Sequence, residues 1–218
     1  MTSLFVNEIF WSIQGEGSQS GRPSIFIRLQ GCLNACPWCD TRYAQALPTL
    51  KGKDQNQELV FNKKEPSEAY SLLEVDVICA KIKELPTAAK LVVLTGGEPC
   101  RQDLTLITTL LLRDGFACQI ETSGSEPIKC HKDTWVTLSP KACGVYAPNW
   151  ARANEIKLPV ANLQDITRYA KELAEIKTKK IWLQPVDCNQ DATELCVKIC
   201  QERNWNLSIQ MHKYINIK

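Results

Sequence analysis

The 218-residue sequence lacks the features that mark proteins for nucleic acid, for membranes or for export. Its 26 Lys and Arg residues are balanced by 24 Asp and Glu residues, a net charge of +2, whereas a nucleic-acid-binding protein presents a strongly basic surface. No apolar run approaches the roughly 18 residues that span a bilayer, and residues 1–8 have neither the basic nor the apolar segment of a signal peptide. We therefore expect a cytoplasmic protein that binds a small molecule, not nucleic acid or a membrane.

Histidine is also scarce, with two residues, whereas cysteine is abundant, with eleven. In a reducing compartment so many thiols favour metal ligation or burial over disulfides. Eight of them show no cluster spacing, and Cys196 and Cys200, one helical turn apart, are interpreted as apolar filler rather than as ligands. A lone histidine is more often a surface or core residue than a functional one. We interpret His131 in that way, whereas the position of His212 after the last predicted strand favours a pocket.

Short apolar segments that end in polar or glycine-rich residues alternate with amphipathic helical patterns along the chain. This alternation predicts a parallel sheet with right-handed crossovers, and polar residues after successive strands are typical of the carboxyl face of a (β/α) barrel. About six or seven units fit, fewer than a complete barrel needs. We expect an α/β fold, a partial, open (β/α)6-type barrel, as a single domain over residues 1–218. The predicted strands lie at 24–30, 91–94, 117–120, 135–138, 155–158, 181–183 and 207–209.

The polar stretch at about 43–68 breaks the alternation. It is predicted to be an irregular insertion or a flap after the first predicted strand, and a solvated loop without function is the alternative.

Three cysteines, Cys32, Cys36 and Cys39, lie close together with the spacing C-x3-C-x2-C. Thiolates hold iron–sulfur clusters, normally four for a [4Fe–4S] cluster, so three would leave one iron open to another ligand. A structural zinc site needs four ligands, and Asp40 or a remote cysteine would have to supply the fourth. Three buried, inert cysteines are a further alternative. The spacing indicates a cluster, and by itself it does not indicate radical chemistry.

The cysteine triad and two further sequence features resemble motifs of the radical S-adenosylmethionine (SAM) superfamily. Trp38 precedes the last cysteine, and residues 96–99 read Gly-Gly-Glu-Pro, a sequence that alone often forms only a turn. The resemblance implies a [4Fe–4S] cluster whose open iron binds the amino and carboxylate groups of SAM. It further implies that electron transfer cleaves SAM to a 5′-deoxyadenosyl radical.

Segments spread over essentially the whole chain resemble the 7-carboxy-7-deazaguanine synthase branch of that superfamily; these are 13–17, 26–32, 39–41, 95–100, 120–124, 138–141, 183–185 and 210–214. The resemblance implies a lyase that converts 6-carboxy-5,6,7,8-tetrahydropterin to 7-carboxy-7-deazaguanine with loss of ammonia, in the pathway to queuosine. The radical would take the hydrogen at C6 and later return it, so that SAM is regenerated. The resemblance also implies Mg²⁺, a homodimer and a flavodoxin-type electron donor.

The same resemblance assigns roles to individual residues. It assigns the cluster to Cys32, Cys36 and Cys39, and Mg²⁺ to Thr41. It assigns SAM to Trp38, Asp40, Gly97, Ser139, Pro140, Lys141 and Gln184. It assigns the substrate to Ile13, Gln14, Gly15, Arg28, Thr95, Glu121, His212 and, through its terminal carboxylate, Lys218.

The chemistry of these residues suits the roles but leaves alternatives open. Arg28 in an apolar strand needs a partner, either a substrate carboxylate or a structural salt bridge. The Thr41 hydroxyl suits Mg²⁺, which prefers oxygen ligands, but it would also cap the following turn. Glu121 would accept hydrogen bonds from the guanidine-like edge of a pterin, or it would form a cap or a local ion pair. Gln14 and Gly15 would face the heterocycle or form only a turn.

Two other functions are weighed against this one. A glycyl-radical activating enzyme has similar size and the same cysteine spacing and acts on a partner protein, but residues 14–17 and the substrate-type residues argue against it. A zinc-stabilised binding module is the alternative that is not an enzyme. It has no need of polar residues at the ends of so many strands.

Overall fold

The computed structural model describes residues 2–34, 36–50, 58–61, 63–176 and 179–218. The strands in these ranges are β1 (Ser3–Ile13), β2 (Pro23–Leu29), β3 (Ser71–Glu74), β4 (Leu91–Gly96), β5 (Ala117–Thr122), β6 (Trp135–Leu138), β7 (Glu155–Val160), β8 (Lys180–Pro185) and β9 (Asn206–Leu207). The α-helices are α1 (Glu58–Phe61), α2 (Val75–Glu84), α3 (Thr105–Arg113), α4 (Pro148–Arg152), α5 (Leu163–Thr167), α6 (Ala170–Glu175), α7 (Gln190–Arg203) and α8 (Met211–Ile215). Short 3₁₀ helices lie at Gly17–Gln19, Arg42–Ala44, Pro99–Arg101 and Val186–Cys188.

The strands form one sheet in the order β3-β1-β2-β4-β5-β6-β7-β8-β9. From β2 through β9 every neighbouring pair is parallel, whereas β1 is antiparallel to both β2 and β3. The sheet keeps two free edges, β3 and β9, so it is an open α/β sheet as predicted. The strands β1 and β3 were not predicted, because β1 joins the sheet through an antiparallel pairing that requires no crossover helix. The predicted strand at 207–209 is shorter than expected and ends at Leu207.

The helices follow the predicted apolar stripes. Ile78 and Ile82 of α2 are buried, as are Ile107 and Leu111 of α3. Gly115 follows α3 with a φ of +83°, a conformation that glycine adopts at the ends of helices without steric cost. The stripe predicted over 166–176 is divided between two short helices, α5 and α6.

Side chains alternate between the two faces of each central strand, and β7 shows the consequence for the site. Ile156, Leu158 and Val160 are buried in the apolar core beneath the helices. Glu155, Lys157 and Pro159, at the intervening positions, point to the opposite face of the sheet. The concave interior of the open barrel is therefore lined by polar and charged side chains.

The predicted polar insertion at 43–68 is described in part, since residues 51–57 and 62 lie outside the described residues. Its described portion includes α1, from which Val60 is buried in the core. The Lys63 ammonium donates to the backbone carbonyls of Asn7, Ser67 and Ala69. These contacts anchor the end of the insertion to β1. Among the described helices, none combines the length and the apolar character that a membrane crossing requires.

Candidate active site

A cavity of about 430 Å³ opens at the carboxyl ends of the parallel strands, where α/β folds bind their ligands. Its volume falls within the range of small-molecule sites. All the predicted site residues line it except Pro140, which is buried between Ser139 and Lys141. Residues that were predicted for four different ligands, namely the cluster, Mg²⁺, SAM and the substrate, thus line one cavity. Lining residues that the predictions missed include Phe10, Glu16, Asn34, Tyr43, Glu98, Thr122, Ser123, Lys157, Asp187 and Gln210.

The cysteine triad occupies the loop after β2, which is closed at its base by two backbone hydrogen bonds. Gly31 N donates to Ala44 O at 2.8 Å, and Cys32 N donates to Gln45 O at 2.9 Å. Cys32, Cys36 and Cys39 are unpaired in any disulfide and half-buried, and all three line the cavity. Within the described ranges no three His, Cys, Asp or Glu side chains are close enough to hold one metal ion. Three free thiols that line one cavity are the donor set that an iron–sulfur cluster takes.

The Gly-Gly turn after β4 packs directly against this loop. Gly97 N donates to Leu29 O at 2.9 Å, and Glu98 N donates to Gly31 O at 2.8 Å. A Cβ on Gly97 would lie 2.4 Å from Gly31 O, closer than any side chain tolerates. Gly96 has a φ of +128°, and a Cβ there would lie 2.3 Å from Leu29 O. Both glycines are therefore required by the close approach of two backbones, which is more than a turn alone would need.

Glu98, the third residue of the Gly-Gly-Glu-Pro motif, holds the turn in place through hydrogen bonds of its side chain. Its side chain is buried, and Oε1 accepts from Cys100 N at 3.1 Å and from Thr122 Oγ1 at 2.5 Å. Oε2 accepts from Ser123 N at 2.9 Å and also from Ser123 Oγ. The carboxylate thereby ties the end of β4 to the end of β5. Only Gly97 of this turn was among the predicted cofactor residues.

Three predicted SAM residues form a group beside the triad. Lys141 Nζ donates to Ser139 Oγ at 2.7 Å and to Ser139 O at 2.9 Å, and it lies 5.6 Å from the centre of the Trp38 ring. Burial lowers the pKa of Lys141. Gln184 lies at the end of β8, where its Oε1 accepts from Ser208 Oγ at 3.0 Å.

One end of the cavity is built around Glu8, which is completely buried. Its Oε1 accepts from Arg28 Nε at 2.7 Å and from the Tyr43 hydroxyl at 3.0 Å, and Oε2 lies 2.5 Å from Lys218 Nζ. Burial raises the pKa of Glu8, but the charges of Arg28 and Lys218 outweigh it and leave that pKa below its ordinary value. The salt bridge considered for Arg28 therefore exists. The guanidinium, 5.5 Å from the centre of the Phe10 ring, also lines the cavity.

The opposite end is a buried ionic network. Glu121, at the end of β5, accepts from Gln119 Nε2 at 2.8 Å and Gln14 Nε2 at 3.3 Å through Oε1, and from Lys157 Nζ at 2.8 Å through Oε2. Lys157 Nζ also contacts Glu16 Oε2. The ion pair considered for Glu121 thus joins different strands and is not local. Lys157 and Glu16 were not predicted, although charged residues at alternate positions of an apolar strand carry the same signal that identified Arg28.

Helix α8 covers this end of the cavity. Met211 N donates to Gly15 O at 3.3 Å, and a Cβ on Gly15 would lie 3.0 Å from His212 Nδ1. Gly15 thus permits the close approach of α8. Gln210 Nε2 donates to Asp40 Oδ2 at 2.9 Å, which joins α8 to the cysteine loop. Burial lowers the pKa of His212, although the charges of Glu16 and Asp40 oppose this.

Thr41 lies between the cysteine loop and the Gly-Gly turn. Its Oγ1 donates to Gly96 O at 3.3 Å and lies 3.8 Å from Cys39 Sγ. Thr41 also precedes the 3₁₀ helix Arg42–Ala44, yet its side chain forms no capping hydrogen bond there. The capping role considered for Thr41 is therefore wrong.

Cysteines outside the triad serve mostly as core residues. Cys196 and Cys200 lie on the buried face of α7 and pack in the core, as predicted. Cys143 and Cys188 are exposed. His131 lies away from the cavity, with Nδ1 3.8 Å from Asp133 Oδ2, which agrees with its interpretation as an ordinary surface residue.

Comparison with known proteins gives close relatives over nearly the full chain. The chain is 45% identical over 220 residues to 7-carboxy-7-deazaguanine synthase of Buchnera aphidicola subsp. Schizaphis graminum, covering 98% of each protein. It is 42% identical over 220 residues to the enzyme of that name from Escherichia coli K12, covering 97% of this chain and 98% of the relative. The crystal structure of QueE from Escherichia coli matches with a TM-score of 0.89 and 40% identity, covering 96% of this chain and 95% of that one. No protein-family model matches the chain.

Proposed function

Because the chain belongs to the 7-carboxy-7-deazaguanine synthase family, we propose that it is a radical SAM lyase. It converts 6-carboxy-5,6,7,8-tetrahydropterin to 7-carboxy-7-deazaguanine with loss of ammonia, in the pathway to queuosine. One observation carries the proposal beyond the family: the cysteine triad, a cationic end and a carboxylate-lined end open into the same cavity. An activating enzyme that acts on another protein needs no such pair of ends.

Cys32, Cys36 and Cys39 would hold a [4Fe–4S] cluster with one open iron. When bound, the cluster and SAM supply a 5′-deoxyadenosyl radical. Burial raises the pKa of Cys32 and Cys36, so cluster binding has to displace protons from these thiols. The adjoining space is lined by Trp38, Asp40, Gly97, Ser139, Lys141 and Gln184, and Pro140 lies between two of these residues in the chain. The Gly-Gly turn keeps this part of the cavity against the cysteine loop.

The two ends of the cavity orient the substrate. Arg28 and the Lys218 ammonium share the Glu8 carboxylate at that end, and the Arg28 guanidinium, which lines the cavity, suits the substrate's carboxylate. Glu121 and Gln14 at the other end, with Gly15 and His212, face the amino-pyrimidine ring. Ile13 and Thr95 lie along the walls between.

Thr41 is proposed as the protein ligand of Mg²⁺. Its Oγ1 and the carbonyl oxygen of Gly96 lie 3.3 Å apart beside the cysteine loop. Mg²⁺ takes oxygen ligands and retains several waters. One hydroxyl from the protein and one carboxylate from the substrate would therefore be sufficient to bind it.

Further proposals rest on the family resemblance. We propose a cytoplasmic homodimer that receives electrons from a flavodoxin-type donor. Residues 1–218 are proposed to form a single domain, which the continuous nine-stranded sheet of the described ranges supports. The Lys218 carboxylate is proposed to contact the substrate.

The test is anaerobic purification with iron and sulfide analysis, followed by incubation with reductant, SAM and carboxytetrahydropterin. We expect about four irons per chain and formation of the deazaguanine without net consumption of SAM. Cys36→Ala should lose the cluster, whereas Cys143→Ala, at an exposed cysteine, should retain it. A zinc stoichiometry near one would refute the cluster. Cleavage of SAM without the deazaguanine would leave a radical SAM enzyme of another branch.

A further inference from the structure

Lys157 is the most deeply buried ammonium group in the described part of the cavity wall, with 3% of its surface exposed. It projects from β7 between Glu155 and Pro159, toward the concave interior. Its Nζ contacts Glu16 Oε2 and lies 2.8 Å from Glu121 Oε2. A single cation thus bridges one carboxylate from the loop after β1 and another from the end of β5.

The charges around Lys157 do not balance. Three carboxylates, those of Glu16, Glu121 and Glu155, lie in this network with Lys157 as the partner cation. Glu155 is held separately, because its oxygens accept from Thr137 Oγ1 at 2.7 Å and from Ser18 Oγ at 2.5 Å. Glu16 and Glu121 therefore depend on the same ammonium.

The dependence shows in the acid–base behaviour of the three groups. Burial lowers the pKa of Lys157, but the charges of Glu121 and Glu16 outweigh it and raise that pKa above its ordinary value. Burial raises the pKa of Glu121 despite the attraction of Lys157, and repulsion from Glu16 and Glu155 adds to the rise. Glu121 is thus close to taking up a proton, and Lys157 is the group that opposes it.

We propose that Lys157 is a positioning residue of the pterin site: it holds Glu16 and Glu121 side by side in the cavity and keeps the Glu121 carboxylate available to accept a hydrogen bond from the amino-pyrimidine edge of the ligand. This inference rests on the proposed function, since it names a supporting residue of the same site. Lys157 itself is covered by the two carboxylates and acts on the ligand through Glu121.

The acceptor capacity of Glu121 supports this role. A carboxylate offers about four acceptor positions, and Gln14, Gln119 and Lys157 occupy three. One position is left for a donor from the ligand. A protonated Glu121 would present a hydrogen of its own there, and the pyrimidine N–H groups would meet a donor instead of an acceptor.

The experiment measures binding of 6-carboxypterin, a stable analogue that carries the same ring and carboxylate, to the anaerobically prepared holoenzyme by calorimetry between pH 5.5 and 8. The variants are Lys157→Gln and Lys157→Arg, with Lys198→Gln on the exposed face of α7 as the matched control. The groups that face Glu121 are Lys157 and Glu155 from β7 and Glu16 from the loop after β1, with His212 of α8 next to Glu16. Titration of the ligand itself is common to all variants.

We expect Lys157→Gln to weaken binding at pH 7 at least about tenfold, the effect of losing one charge-assisted hydrogen bond. Loss of the cation raises the pKa of Glu121 further. The acid side of the binding profile, which is the fall in affinity as Glu121 becomes protonated at low pH, should therefore move to higher pH. Lys157→Arg should restore most of the affinity and the profile, and Lys198→Gln should match the unmodified protein.

An unchanged acid side in Lys157→Gln, with or without a loss of thermal stability, would reduce Lys157 to a structural residue and overturn the proposal. If Lys157→Gln does not fold, the variant Glu121→Gln is measured in its place. Its affinity for 6-carboxypterin should no longer fall at low pH, and a fall like that of the unmodified protein would overturn the proposal as well. Failure of the unmodified holoenzyme to form deazaguanine would count against the proposed function. Turnover by the unmodified enzyme with unaltered binding in Lys157→Gln would count against this inference alone.

Discussion

Replacement of Glu98 by glutamine is a sharp test of how the Gly-Gly-Glu-Pro turn is held. The side chain has 2% of its surface exposed, and its two oxygens accept four hydrogen bonds, two each. Two of the donors are backbone N–H groups, those of Cys100 and Ser123. An amide keeps the shape of the carboxylate, but its nitrogen donates and must face one of these two pairs of donors.

The magnitude follows from the hydrogen bonds that are lost. Whichever way the amide is turned, one buried backbone N–H loses its acceptor, which costs about 1–3 kcal/mol. The hydroxyl of the same pair can rotate and accept from the new NH₂, so its loss is smaller. With the weakening of the remaining bonds from charge-assisted to neutral, Glu98→Gln should destabilise the protein by about 2–4 kcal/mol. At about 2–4 °C per kcal/mol for a protein of this size, Tm should fall by about 4–16 °C.

The assay is thermal unfolding of the metal-free protein followed by circular dichroism, so that cluster loss does not enter the result. Glu175→Gln, at an exposed position near the end of α6, makes the same chemical change on the surface and should shift Tm by less than about 2 °C. If Glu98→Gln unfolds within that margin, the four hydrogen bonds do not hold the turn and the reasoning fails.

Three further predictions concern the remaining parts of the site. Gly97→Ala should prevent cluster assembly, measured as bound iron and sulfide, because its Cβ would lie 2.4 Å from Gly31 O; normal iron content would contradict this. Thr41→Ala should weaken the response of the rate to added Mg²⁺ while SAM binding is unchanged, and an unaltered Mg²⁺ titration would remove the ligand assignment. Arg28→Lys should raise KM for carboxytetrahydropterin about tenfold or more, since Lys lacks the guanidinium fork; an unchanged KM would exclude Arg28 from the carboxylate end.

The cysteine loop and the ends of the strands were predictable because their signals are local. The spacing of Cys32, Cys36 and Cys39 lies within one loop, and the polar residues after each apolar run mark the carboxyl ends of parallel strands. The open sheet followed from the number of units that fit the chain. The antiparallel β1 did not, since its pairing with β2 and β3 is an interaction over distance with no crossover helix to signal it.

The hydrogen-bond and ion-pair partners of the site residues could not be predicted from the sequence. Arg28 was expected to need an anion, yet nothing in its neighbourhood identified Glu8 on β1, which is joined to it by a bond of 2.7 Å. Glu98 was hidden for a similar reason, because its acceptor role depends on donors at the end of β5. Such pairings are set by strand register and by the depth of the cavity, which appear only when the sheet is assembled.

The alternation of side chains along β7 would have allowed Lys157 to be predicted as a cavity residue. A central strand of an open barrel is covered on its outer face by helices and faces the cavity on its inner face, so charged residues two apart must share the inner face. Glu155 and Lys157 satisfy this rule, and Ile156 and Leu158 take the outer positions. Applied to β5, the same rule places Gln119 and Glu121 together on the inner face. The inner faces of β5 and β7, which flank β6, carry a carboxylate and an ammonium of opposite charge, and Glu121 and Lys157 form an ion pair across β6 at 2.8 Å.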